Sequence, residues 1–129
     1  MQRLMEVAAL VEEASLQSEE RLLSEGEAAR YLFVVVEGHG VARLKLERGW
    51  LSLGLVRTGD VAGWSSLLEG QVYPASITAL TAMRIARIKT SGLRLLMNLE
   101  PEVGYAVLRR LNSIFYRQYE VVLKALKYL

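Results

Sequence analysis

The spacing of apolar residues changes twice along the 129 positions of the chain. Near the start, Leu4, Met5, Ala8, Ala9 and Val11 recur at steps of three and four, the period of an amphipathic helix. From Tyr31 onward the apolar residues come in short β-branched or alternating runs. These predict strands over Tyr31–Glu37, Val41–Leu46, Trp50–Val56, Ser76–Leu80 and Met83–Lys89, with Met83, Ile85, Ala86 and Ile88 as inward candidates of the last. Turn residues separate the runs at Gly26, Gly38-His39-Gly40, Arg48-Gly49, Gly59-Asp60 and Gly70. Strands so short and so closely punctuated point to a sandwich, barrel or jelly roll.

After the last strand the helical period returns. Thr90 or Ser91 is placed to cap a short helix carrying Leu93, Leu96 and Met97, and Pro101 stands where a first helical residue tolerates a missing N–H. From Pro101 to Leu129 only Gly104 weakens the helical pattern, giving a helix of about 43 Å at about 1.5 Å per residue. That is longer than a domain of this size is wide, so part of it is expected to pack outside its own fold. Gly104, Val107, Leu111, Ile114, Gln118, Val121, Ala125 and Tyr128 step by three and four as a coiled-coil seam, widened by Leu108, Phe115, Val122 and Leu129. The pattern predicts a homodimer through this helix, with Val107, Leu108, Leu111, Ile114, Phe115, Gln118 and Val122 at the interface.

Composition narrows the function classes. Hydrophobic residues make up 52% and charged residues 23%, ordinary values for a globular domain, and a chain of this length supports one core. One domain over 1–129 is expected, with an N-terminal helix, β roll and short helix in 1–100 and the long helix in 101–129. The longest apolar run, Tyr31 to Val36, is far short of the ~20 residues that span a bilayer, so a cytoplasmic protein without a membrane partner is expected. There is no cysteine, a single histidine at His39 and a single aspartate at Asp60. Disulfides, thiolate zinc sites and cysteine nucleophiles are excluded, and most hydrolase and metalloenzyme chemistries lack their parts, so the chain does not read as an enzyme or as a metal binder.

Charge is polarised, with −4 over residues 1–30, +3 over 31–100 and +3 over 101–129 within a net +2. The basic excess at the C-terminal end is thin beside the dense Lys/Arg blocks of dedicated binders, so direct nucleic-acid binding is not expected and Arg109, Arg110 and Arg117 read as a solvated face. His39 reads as part of a hairpin turn. Asp60 is expected to bond its own turn, and Met5, Met83 and Met97 are expected in the core.

The order of parts carries a resemblance. Ser24-Glu25-Gly26-Glu27 is followed by Tyr31-Leu32-Phe33-Val34-Val35-Val36-Glu37-Gly38, then Gly59-Asp60-Val61-Ala62-Gly63, then Ala79-Leu80-Thr81 entering the last strand. In this order and spacing the chain resembles the cyclic nucleotide-binding domain of the catabolite activator (Crp/Fnr-like) family over nearly its whole length. The resemblance implies a mainly β double-stranded β-helix, or jelly roll, with a short N-terminal helix and a long C-terminal dimerisation helix. It also implies a ligand pocket with a phosphate-binding cassette around residues 63–76, placing Gly63, Trp64, Ser65, Ser66, Tyr73, Ala75 and Ser76 at the ligand.

The chain departs from the family where the charged contacts would be. Trp64 follows Gly63 where the family has the Glu that holds the ribose hydroxyl. Tyr73 and Pro74 fall on the Arg that pairs with the cyclic phosphate and on the position after it. Charge-assisted hydrogen bonds contribute about 1.5–3 kcal/mol each, so losing two removes about two to four decades of affinity. The resemblance therefore implies a small-molecule-sensing regulatory module whose cyclic nucleotide or other small ligand is not held by the usual contacts. What remains to hold one is the hydroxyls of Ser65, Ser66, Tyr73 and Ser76, with Trp64 as a flat surface. The alternative is a ligand-free dimerisation or protein-interaction scaffold in which Trp64 and Tyr73 fill the hole. A helix-turn-helix reader would lie beyond Leu129, so either a regulatory protein partner carries the signal or the chain is the sensor part of a truncated transcription regulator.

Overall fold

The computed structural model describes residues 2–128. Eight strands form two antiparallel four-stranded sheets, flanked by helix α1 (Gln2–Ala8) before them and by α2 (Thr90–Leu99) and α3 (Pro101–Leu126) after them. The first sheet has the order β1-β8-β3-β6, from Val11–Leu16, Met83–Lys89, Tyr31–Glu37 and Val61–Ala62. The second has the order β2-β7-β4-β5, from Arg21–Leu23, Ser76–Ala79, Gly40–Lys45 and Trp50–Val56. This is the jelly roll with flanking helices expected above. The chain divides into two compact units, Met1–Leu93 and Arg94–Leu129, the division falling within α2.

Each sheet turns one face to a shared core. Phe33 and Val35 of β3, Met83 and Ile85 of β8, Leu23 of β2, and Ile77 and Ala79 of β7 are buried together with Val56, Ala62 and Tyr73. On β8, Arg84 is out of phase with the inward Met83 and Ile85 and pairs with Glu37 at 3.0 Å, whereas Arg87, in phase with them nearer the end of the strand, pairs with Glu12 at 3.1 Å. Ala86 and Ile88 are half-buried.

Some expectations need correction. Val11 is not in the first helix but opens β1, its Cα paired with Ile88, and Ala14 and Leu16 of that strand pack on the core. The helical reading failed because Glu12 and Glu13 interrupt the alternation, and only pairing with β8 makes the segment a strand. Met5 is exposed rather than core, whereas Met83 is buried and Met97 half-buried. The Leu4 side chain and Leu129 lie outside the described residues. Thr90 is not a cap: its hydroxyl donates to the Arg30 carbonyl at 2.9 Å and the residue is buried inside the first unit. In the second unit Pro101 opens α3, and an added Cβ on Gly104 would meet the Met97 carbonyl at 3.1 Å, so this glycine permits the close approach of α3 to α2.

Candidate functional site

The segment from Gly63 to Ser76 crosses from β6 in one sheet to β7 in the other, and all seven expected ligand residues lie on it. Its first half is a 3-10 turn over Trp64–Leu67, entered through Gly63 at φ 81°. A side chain at Gly63 would bring its Cβ to 2.6 Å from the Tyr31 carbonyl oxygen and 3.3 Å from a Tyr73 ring carbon. The left-handed backbone and the lack of space both require glycine. The Gly63 carbonyl accepts twice from Ser66, from its N–H at 3.1 Å and from its hydroxyl at 2.5 Å. Ser66 is buried, and the Trp64 indole donates to the Val61 carbonyl at 2.8 Å.

The second half is laced to the Ser24–Ala29 turn by backbone bonds. The N–H of Ala29 donates to Gln71, that of Tyr73 to Glu27 and that of Gly26 to Tyr73, at 2.9 to 3.0 Å. The Ser76 hydroxyl accepts the Glu25 N–H at 2.9 Å. Tyr73, which the resemblance set on the family's arginine position, is 2% exposed and belongs to the core cluster. Its hydroxyl donates to the Tyr31 carbonyl at 2.9 Å and accepts the Tyr31 N–H at 3.1 Å. Burial pushes this phenol above its ordinary range, against the lowering effect of its backbone bonds, so it stays neutral at physiological pH.

The structure thus brings Gly63, Ser66, Tyr73 and Ser76 into one bonded framework, with Trp64 tied to β6. Ser65 differs: its hydroxyl oxygen is buried and has no hydrogen-bond partner among the described residues. Ala75 is half-buried. The residue that sequence reasoning missed is Tyr31, whose two main-chain groups receive the Tyr73 phenol; nothing in a linear pattern pairs positions 42 apart. Asp60 behaves as expected, its carboxylate accepting the Arg57 N–H at 2.8 Å.

On α3 the expected interface residues separate by exposure. Leu111 is buried, Val107, Ile114, Phe115 and Gln118 are half-buried, and Leu108 and Val122 are exposed. No helix among the described residues is long and apolar enough to cross a membrane.

The chain is similar to known proteins over most of its length. The sequence profile of the family described as cyclic nucleotide-binding domain matches residues 13–99. The cAMP-activated global transcriptional regulator CRP of Salmonella typhimurium is 32% identical over 106 residues, which are 81% of this chain and 49% of the relative. The chain therefore spans about half the length of the curated relatives it matches. Among solved structures, a cyclic nucleotide-binding domain from Methylobacillus flagellatus superposes with a TM-score of 0.83 at 22% identity, covering 96% of this chain and 72% of the other. The Thermus thermophilus catabolite activator protein superposes with a TM-score of 0.75 at 18% identity, covering 98% of this chain and 60% of that one.

Proposed function

The chain belongs to the cyclic nucleotide-binding domain family, and from that premise we propose that it is a non-enzymatic regulatory module whose cassette is held by its own side chains and which acts through dimerisation. The observation that carries this reading is the Tyr73 phenol, which occupies the arginine position and bonds both main-chain groups of Tyr31. The Ser66, Ser76 and Trp64 donors and acceptors are likewise engaged inside the fold. With no cation at position 73 and no carboxylate at 64, a cyclic phosphate and a ribose hydroxyl lose their charged partners.

The dimer is proposed through the face of α3 that the fold leaves open. Tyr105, Leu108, Asn112, Phe115, Tyr119, Val122 and Leu126 step alternately by three and four, and all except half-buried Phe115 are exposed. This seam keeps Leu108, Phe115 and Val122 of the expected interface. It places Asn112 where a polar residue sets register in a two-stranded coil. Such a module works in the cytoplasm, and its signal passes to a regulatory protein partner or to a reader domain of a longer chain.

A second reading rests on Ser65. Its buried, unpartnered hydroxyl is free to bond a small ligand other than a cyclic mononucleotide. A thermal-shift series with cyclic AMP, cyclic GMP, cyclic dinucleotides, ordinary nucleotides and haem separates the two. A ligand present at about one hundred times its dissociation constant adds about 2.7 kcal/mol and raises the melting temperature by several degrees. The self-held cassette gives no shift with any of them. A shift with one that is lost in Ser65→Ala establishes the ligand-sensing reading instead.

A further inference from the structure

The second sheet carries a surface that the cassette does not use. Its strands β2, β4, β5 and β7 hold Arg21, Arg43 and Lys45 and no carboxylate, whereas the arginines Arg84 and Arg87 of the first sheet are paired with Glu37 and Glu12. Arg21 and Trp50 open β2 and β5, the two edge strands of this sheet, yet the Arg21 guanidinium lies 5.7 Å from the centre of the Trp50 ring. The Lys45 ammonium, on the cross-strand neighbour of Trp50, lies 4.9 Å from the same centre. Arg43 stands two residues before Lys45 on the same face of β4. Among the described residues none of these three cations has a carboxylate within ion-pair distance. The Glu25 carboxylate near them accepts the Lys45 main-chain N–H at 3.1 Å.

Beside this platform runs an open edge. β5 is the last strand of its sheet, its residues Trp50–Val56 include neither charge nor proline, and all but Val56 are exposed. Natural edges are ordinarily blocked by charges or proline; an uncharged one is a template for another strand. In an extended peptide, side chains on one face recur every second residue, about 7 Å apart, a spacing that lets neighbouring carboxylates meet cations gathered around one ring.

We propose that this corner binds an extended acidic segment of a partner protein, added as a strand along β5 with alternate carboxylates directed at Lys45, Arg21 and Arg43. A second copy of this chain is the poorer occupant, because it would bring the same unpaired cations to the seam. Nucleic acid is poorer too, because the edge offers main-chain groups and leucines where a phosphate backbone needs cations.

The test is an NMR titration of the full chain with a synthetic peptide of alternating Glu and Val, beside an alternating Lys and Val peptide and a single-stranded oligothymidylate. The Glu peptide should shift the Trp50 indole resonance and slow exchange of the β5 amides left free by β4. Lys45→Glu and Arg21→Glu should each weaken it by about tenfold or more, and Lys45→Gln by less. Both side chains are exposed, so a native-like spectrum of each variant is expected and serves as its control. The proposal is overturned if the Glu peptide leaves the wild-type spectrum unchanged, or if oligothymidylate alone moves these resonances. It is equally overturned if the β5 amides of the free protein are already protected in a dimer that Lys45→Glu leaves intact.

Discussion

The phenol of Tyr73 and the main chain of Tyr31 form a two-way tie: the hydroxyl donates to the carbonyl at 2.9 Å and accepts from the N–H at 3.1 Å. It joins the end of the cassette to the first residue of β3, the strand at whose other end Glu37 holds Arg84. A ligand bridging cassette and sheet would make the same kind of connection. Here a core side chain makes one.

Removing that hydroxyl tests the tie. Tyr73→Phe leaves the ring in place and deprives two part-buried main-chain groups of the hydroxyl, a loss of about 1–3 kcal/mol. Thermal unfolding should show a melting temperature lower by several degrees. An unchanged melting temperature would mean that the bonds do not hold the cassette.

The same phenol predicts an alkaline effect. Its pKa in the fold lies above the ordinary value of about 10, because burial disfavours the phenolate. Above that ordinary value the unfolded chain releases a proton that the folded one retains. Its contribution to stability is therefore complete below about pH 10 and is lost as pH rises through the folded pKa. Denaturant titrations across this range should show a steeper alkaline decline in wild type than in Tyr73→Phe; parallel curves would refute the linkage.

Two glycines of the cassette should respond differently to the same change. Gly63→Ala adds a left-handed penalty of about 1–2 kcal/mol and drives its Cβ to 2.6 Å from the Tyr31 carbonyl, so the cassette must shift or the fold must weaken further. Gly70, also left-handed at φ 78°, has nothing within 4 Å of an added Cβ. Gly70→Ala should cost only the conformational term, about 1–2 kcal/mol. Equal costs in parallel melts would contradict the close approach at Gly63.

The helix seam can be separated from the buried face of α3. Leu108→Glu and Val122→Glu, both at exposed positions, should give monomers in light scattering while leaving the β-sheet circular dichroism unchanged. Leu111→Ala, at a buried position, should instead cost about 2–5 kcal/mol. A dimer that survives both charged variants would rule out this face.

How much was legible before the structure depended on how local the cause was. β3, β5 and β8 fall where β-branched or alternating runs place them, because strand preference and burial act residue by residue. β1, β2 and β6 were not legible: two are too short to show a period, and in β1 the adjacent glutamates Glu12 and Glu13 put a charge on each face and break the alternation. At the cassette, the presence of Trp64 and Tyr73 could be read directly. Where their polar atoms go could not, since that depends on Val61 and Tyr31.

The sequence by itself therefore determined the class of fold, the long helix and the residue types that stand along the cassette, because these follow from side-chain type, local period and residue identity. Only the tertiary structure decided that Tyr73 is turned into the core, that the Ser65 hydroxyl has no partner among the described residues, and that Arg21 and Lys45 meet over Trp50. Each of these depends on strands distant in sequence being paired in register. A hydrogen bond or ring contact exists only once that register has put its two halves within a few ångströms.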